Sequence, residues 1–179
     1  MNRITVFCAS SFGTDKDFES SAKQLGKKLA QENIELVYGG ANVGLMGAVA
    51  DAVLEHEGKV IGVLPNFLKS KEIAHEGLTQ LILVDSMHER KAKMNDLCDG
   101  IIALPGGFGT LEELFEVLTW RQLGLHKKPI GILNINGFYD SLISFLDHMT
   151  EKGVLKKENR ELVLISDTVE ELLDKMFNY

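Results

Sequence analysis

Two cysteines, Cys8 and Cys98, are all that the 179 residues contain. Each stands inside an apolar pattern without metal-ligand spacing, which argues against a disulfide scaffold and a cysteine-built metal centre and predicts buried thiols of a reducing compartment. Long apolar stretches are missing too: none approaches the roughly 20 residues of a membrane span. The opening Met1-Asn2-Arg3-Ile4 lacks the apolar region of a signal peptide, so the cytoplasm is the expected compartment. Positive charge is scarce. Nineteen lysines and arginines face 26 acidic residues, a formal net charge of −7, which gives no broad basic footprint for a nucleic-acid polymer or a membrane. An anionic ligand must therefore be held by a few local cations and by backbone dipoles. Repeats, linkers and low-complexity segments are absent as well.

What is present is a soluble globular profile, 45% hydrophobic and 25% charged, in a length that suits one domain spanning residues 1–179. Short apolar runs, several β-branched, occupy residues 4–9, 34–38, 60–64, 81–84, 101–104 and 130–133, and a last one covers 162–165. Such runs suit parallel strands buried on both faces. Helical patterns separate them at 17–31, 45–56, 87–98, 111–123 and 139–152, and a terminal helix is expected over 169–177. Strands alternating with helices predict an α/β, doubly wound parallel sheet, whose ligands bind beyond the carboxyl ends of the strands. The least regular stretch, 65–77, reads as a mobile flap.

The richest segment is Pro105-Gly106-Gly107-Phe108-Gly109-Thr110-Leu111-Glu112-Glu113. It reads as strand, glycine turn and helix start, an arrangement whose unpaired amides and helix dipole suit a phosphate. Glu113 stands three residues after Thr110, and two roles are open for it. Thr110-x-x-Glu113 matches a capping box, in which the carboxylate satisfies only the N-cap amide. On a helical wheel, however, Leu111, Leu114, Phe115 and Leu118 form the buried stripe and Glu112, Glu116 and Thr119 a polar strip. Glu113 falls with Val117 and Trp120 on a partly apolar flank, where a carboxylate is constrained and desolvated as a reacting group would be.

Two further stretches carry chemistry. Gly39-Gly40-Ala41-Asn42-Val43-Gly44-Leu45-Met46-Gly47 follows a strand but lacks the lysine and hydroxyl residue of a P-loop, while the first strand–helix turn, Cys8-Ala9-Ser10-Ser11-Phe12-Gly13, lacks the dinucleotide fingerprint. Tight turning alone explains such glycines; beside a second glycine loop, ligand contact is favoured. In Ser86-Met87-His88-Glu89-Arg90-Lys91 a capping box, Ser86 with Glu89, starts a helix. Arg90 and Lys91 share the inward arc of Met87, Met94, Leu97 and Cys98, where a cation is costly unless paired. A structural carboxylate pair or stems snorkelling to water would account for them, but two adjacent cations at a helix start near a strand's carboxyl end favour an anionic ligand. His88 points away from that arc.

Together these stretches resemble the LOG family, the cytokinin riboside 5′-monophosphate phosphoribohydrolases long labelled lysine decarboxylases. Its PGGxGTxxE signature corresponds to Pro105 through Glu113, and its arginine–lysine motif to Met87 through Lys91; the glycine loop and the Ser10-Ser11 turn also match. One departure is Ala41, where many members carry a third glycine. The resemblance implies a Rossmann-like sheet, a homodimer, and hydrolysis of the N-glycosidic bond of a nucleoside 5′-monophosphate without metal or organic cofactor. It implies Arg90 and Glu113 as the catalytic pair, Gly106, Gly107, Gly109 and Thr110 on the phosphate, and Ser10, Ser11, Gly39, Gly40, Gly44, Met87 and Lys91 around the rest of the substrate. Met87, Phe108 and Trp120 are candidate apolar walls for the base. A non-catalytic nucleotide-binding module is the alternative. A pyridoxal-phosphate decarboxylase is disfavoured, since only Lys91 is placed to form its Schiff base.

Overall fold

The computed structural model describes residues 1–69 and 74–179, to which the following statements refer. Seven strands, β1 (Arg3–Phe7), β2 (Glu35–Tyr38), β3 (Val60–Pro65), β4 (Gln80–Val84), β5 (Gly100–Ala103), β6 (Ile130–Leu133) and β7 (Val163–Ser166), form one sheet in the order β4-β3-β2-β1-β5-β6-β7. Every pairing is parallel. The central strands are apolar on both faces, so neither face can be left to water. On one face α1 (Lys16–Gln31), α2 (Gly44–Glu55) and α7 (Val169–Phe177) bury a core containing Leu25, Leu29, Val49, Val53, Leu172 and Met176. On the other, α3 (Met87–Leu97), α4 (Phe108–Gln122) and α5 (Asp140–Glu151) cover Val37, Val63, Ile101 and Ile132 with Met94, Leu114, Val117 and Tyr139. The doubly wound sheet expected from the alternating pattern is the observed architecture. A four-residue helix, α6 (Lys157–Arg160), was hidden in the polar stretch before β7.

Strand order reverses beside β1: the chain moves outward through β2, β3 and β4, then returns to β5 on the other side. The loops leaving β1 and β5 therefore part company, and a crevice opens between them, as expected at a topological switch point. The two loop starts are tied, the Ala9 amide donating to the Pro105 carbonyl at 3.1 Å. Two buried hydroxyls hold helices to the sheet. Thr5 donates to the Met94 carbonyl at 3.0 Å, and Tyr139 donates to the Leu104 carbonyl at 2.6 Å.

The expected flap, 65–77, begins with a 3-10 turn at Asn66–Leu68. Its residues 70–73 lie outside the described residues. Beyond them the chain is fastened rather than loose, through a bridge between Ala74 and Ala41. Among the described residues, no helix is long and apolar enough to cross a membrane.

Candidate active site

The crevice is a cleft of about 450 Å³. Ser10 and Ser11 after β1, Gly39 after β2, Met87 and Arg90 from α3, and Gly107, Gly109, Thr110 and Glu113 from α4 all line it. Residues separated by a hundred positions thus meet because β1, β2 and β5 are neighbours in the sheet. Gly40, Gly44, Lys91 and Gly106 are not on its wall.

The α4 N-terminus differs from the sequence-based expectation. The helix starts at Phe108 with Gly107 as N-cap, three residues before the cap that Thr110 would have supplied. Glu113 therefore stands in the second turn, beyond reach of the N-cap amide, and the capping-box role is excluded. The stripe facing the sheet is Thr110, Leu114 and Val117; Phe115, expected inside, is 37% exposed. Whereas Asp15, Ser86 and Thr168 cap α1, α3 and α7 with their side chains, no side chain caps α4. The Leu111 amide makes the first intrahelical bond, to Gly107, so the amides of Phe108, Gly109 and Thr110, residues that line the cleft, have no partner within the helix. Gly106 lies behind this turn, where a Cβ would strike the Thr110 hydroxyl, so it supports the loop from beneath.

Helix α3 begins as its sequence indicates: Ser86 accepts from the Glu89 amide at 3.1 Å, while the Glu89 carboxylate accepts from the Asp85 amide at 2.8 Å. One turn on, Arg90 is only 7% exposed. Its Nε donates to the Val63 carbonyl at 3.1 Å and a terminal nitrogen donates to the Gly39 carbonyl at 3.4 Å. The guanidinium lies against Gly39, whose missing side chain makes room for it: a Cβ there would sit 2.0 Å from an Arg90 terminal nitrogen. Two neutral carbonyls orient this buried cation without cancelling its charge. Such a group is set up for an anion or a carboxylate in the cleft.

Lys91 has the other fate considered for a buried cation. Its Nζ pairs with Glu112 at 2.5 Å and Glu116 at 3.1 Å, both on α4. Burial alone would lower its pKa, but hydrogen bonds and charge from these two carboxylates raise it above the ordinary lysine value. In the structure Lys91, for which the resemblance implies a substrate contact, ties α3 to α4. That tie joins the neighbours of Arg90 and Glu113, so it sets the spacing of the two helices that carry them.

Two of the remaining glycines have positive φ. Gly44 adopts a φ of +56°, and a Cβ there would approach the Ser11 amide nitrogen to 2.2 Å. Its bare α-carbon lets the α2 start pack under the Ser10-Ser11 turn. Gly40, at φ +85°, packs against Leu64 and Leu81 behind the cleft. Met87 and Phe108 are on the wall as expected, whereas Trp120 packs on the core below α4. Met46, Leu68 and Met94 add apolar surface that sequence patterning assigns to core or loop. Cys8 forms part of the floor; burial, and secondarily the charge of Glu113, push its thiol well above the ordinary range, leaving it protonated. Both cysteines are buried and unbridged, as expected.

Known proteins resemble the chain along nearly its whole length. Residues 46–176 match a family model described as "Possible lysine decarboxylase". Cytokinin riboside 5′-monophosphate phosphoribohydrolase LOG3 of Arabidopsis thaliana is 46% identical over 99% of this chain and 82% of its own length. The enzyme LOG of Oryza sativa subsp. japonica is 46% identical over 99% of this chain and 73% of its own. Among solved structures, the molybdenum cofactor binding protein of Rippkaea orientalis shares the fold, with a TM-score of 0.71 at 22% identity over 98% of this chain and 94% of that one. Identity and coverage of this extent establish that the chain belongs to the LOG family of cytokinin riboside 5′-monophosphate phosphoribohydrolases.

Proposed function

We propose that this protein hydrolyses the N-glycosidic bond of a nucleoside 5′-monophosphate, AMP or a cytokinin riboside 5′-monophosphate, to free base and ribose 5-phosphate. The observation that carries the reading is the convergence in one cleft of a buried, carbonyl-oriented Arg90, Glu113, and a helix start with no side-chain cap. The relatives named for this activity support it.

In this reading the 5′-phosphate docks on the first-turn amides of α4 and on Thr110, where the helix dipole favours negative charge. Gly107 and Gly109 present no side chain, so the anion approaches the main chain closely. Ser10 and Ser11, on the opposite lip, face the sugar. As the base departs, positive charge develops on the ribose, and a fixed carboxylate in a partly desolvated cleft stabilises it more than it stabilises the neutral ground state. Glu113 takes that role and orients the attacking water. The C1′–N bond breaks, the C1′–O bond forms, and one proton of the water balances the departing base. Arg90 binds an anionic or hydroxyl group of the substrate and holds a positive charge opposite Glu113. Met87, Met46 and Leu68 offer the apolar wall for the base.

A homodimer working in the cytoplasm completes the reading. The support for the homodimer is the exposed apolar surface at the end of α4, where Leu123 and Leu125 are 66% and 69% exposed. The test is incubation with AMP and with its N6-prenylated analogue, followed by chromatography. Release of free base and ribose 5-phosphate in equal amounts is expected; binding without products would leave a nucleotide-binding module.

A further inference from the structure

A strap outside the cleft bears on the reaction proposed above. Residues Ala74 to Gly77 cross behind the glycine loop. Ala74 bridges Ala41, and the His75 amide donates to the Gly40 carbonyl at 3.0 Å. The His75 ring is nearly enclosed, its side chain 11% exposed, and both nitrogens are engaged. Nδ1 accepts from the Gly77 amide at 3.0 Å, which assigns the ring proton to Nε2; that nitrogen donates to the Asp51 carboxylate on α2 at 2.9 Å. The strap is thereby pinned to a helix that is itself built into the core.

The consequence runs inward. Gly39 and Gly40 are consecutive, and a glycine pair has no intrinsic preference that would aim its carbonyls. The Gly40 carbonyl is held by the strap, and the carbonyl beside it, Gly39, is one of two that orient the Arg90 guanidinium. With the strap released, Arg90 keeps its Val63 contact at 3.1 Å and loses the longer one to Gly39 at 3.4 Å. We infer that His75 and Asp51 are positioning residues for the N-glycosidic hydrolysis, acting through the glycine loop on Arg90. The inference rests on the proposed function for its catalytic part. The path His75–Gly40–Gly39–Arg90 can be read independently of any turnover.

The experiment measures two quantities in the full chain carrying His75→Ala, Asp51→Ala or Asp51→Asn: kcat and KM for AMP, and hydrogen exchange by NMR of the Arg90 terminal guanidinium N–H protons, which face the Gly39 carbonyl. Both alanine variants should exchange about tenfold faster at Arg90 and lose about tenfold in kcat, with KM changed less than about threefold, as a misaligned catalytic group requires. Asp51→Asn retains the acceptor for the imidazole N–H and should stay within about twofold of the parent on both counts. Unchanged Arg90 exchange in both alanine variants overturns the inference, and so does a fall in kcat without faster exchange. A parent protein that releases no base from any nucleotide defeats the proposed function, and the exchange comparison still decides whether the strap positions Arg90. Should His75→Ala fail to fold, the two Asp51 variants carry the same comparison.

Discussion

Replacing Gly39 by alanine separates catalysis from folding. Gly39 does not occupy the left-handed region, so its backbone conformation is open to alanine. The obstacle is space alone: the new Cβ would stand 2.0 Å from an Arg90 terminal nitrogen and 2.4 Å from the Met46 methyl carbon. Ordinary contact needs about 3.5 Å, so the guanidinium must retreat by roughly 1.5 Å. Both obstructing atoms end flexible side chains, which limits the stability cost to about 1 kcal/mol, the low end for overpacking. The same retreat breaks the Gly39 carbonyl contact and carries the charge off its line, and a displacement of about 1 Å in a catalytic group costs about a hundredfold. Steady-state base release from AMP, with urea denaturation run in parallel, should show kcat reduced about 10²-fold in a protein of nearly parental stability. Gly44→Ala provides the contrast. There the Cβ meets main-chain atoms of Ser10 and Ser11 at a φ of +56°, so folding stability falls first. Parental kcat in Gly39→Ala would refute the claim that Arg90 must be held where it lies.

Lys91→Met removes the cation shared by Glu112 and Glu116. Urea unfolding should show a loss of about 1–2 kcal/mol, below that for a fully buried pair because Glu112 is half exposed. Base release should fall about tenfold as α3 and α4 lose their tie. An unchanged unfolding midpoint would remove Lys91 from the structural account. His126 supplies a pH dependence. Its Nε2 donates to the Val117 carbonyl at 3.0 Å, its Nδ1 accepts from the Lys128 amide at 3.3 Å, and burial lowers its pKa. Above about pH 6.5 both folded and unfolded states hold it neutral; below that the unfolded chain takes up the proton first, so stability declines as pH falls toward the folded-state value. Urea midpoints between about pH 7.5 and 5.5 should drop in the parent and drop less in His126→Gln, and identical slopes would contradict the assignment.

The fold was readable because its evidence is local. Runs such as Ile101-Ile102-Ala103-Leu104 are apolar on both faces, and only a covered parallel sheet uses strands of that kind. The cleft was readable in its parts, since glycine turns at strand ends announce themselves. Three features were not. The spacing Thr110-x-x-Glu113 satisfies a capping pattern that α4 does not use, because the helix begins at Phe108, before the pattern does. A motif specifies what a side chain can bond, and tertiary packing decides where the helix begins. Lys91 posed a similar problem: its carboxylate partners lie on α4, 21 residues away for Glu112, so pairing depends on how two helices cross. His75 and Asp51 gave no signal, since a ring in an irregular stretch and an acid on an exposed helix face are each unremarkable until the strap brings them together.

The central claim is that Glu113 acts by its charge, opposite Arg90, on the sugar of a bound nucleotide. Glu113→Gln keeps size and hydrogen-bonding capacity while removing the charge, so single-turnover base release from AMP by this variant is the most direct measurement. The account predicts a loss of at least about 10²-fold, the scale of one missing electrostatic stabiliser, with AMP still bound and the fold intact. Base release at the parental rate in Glu113→Gln would contradict it.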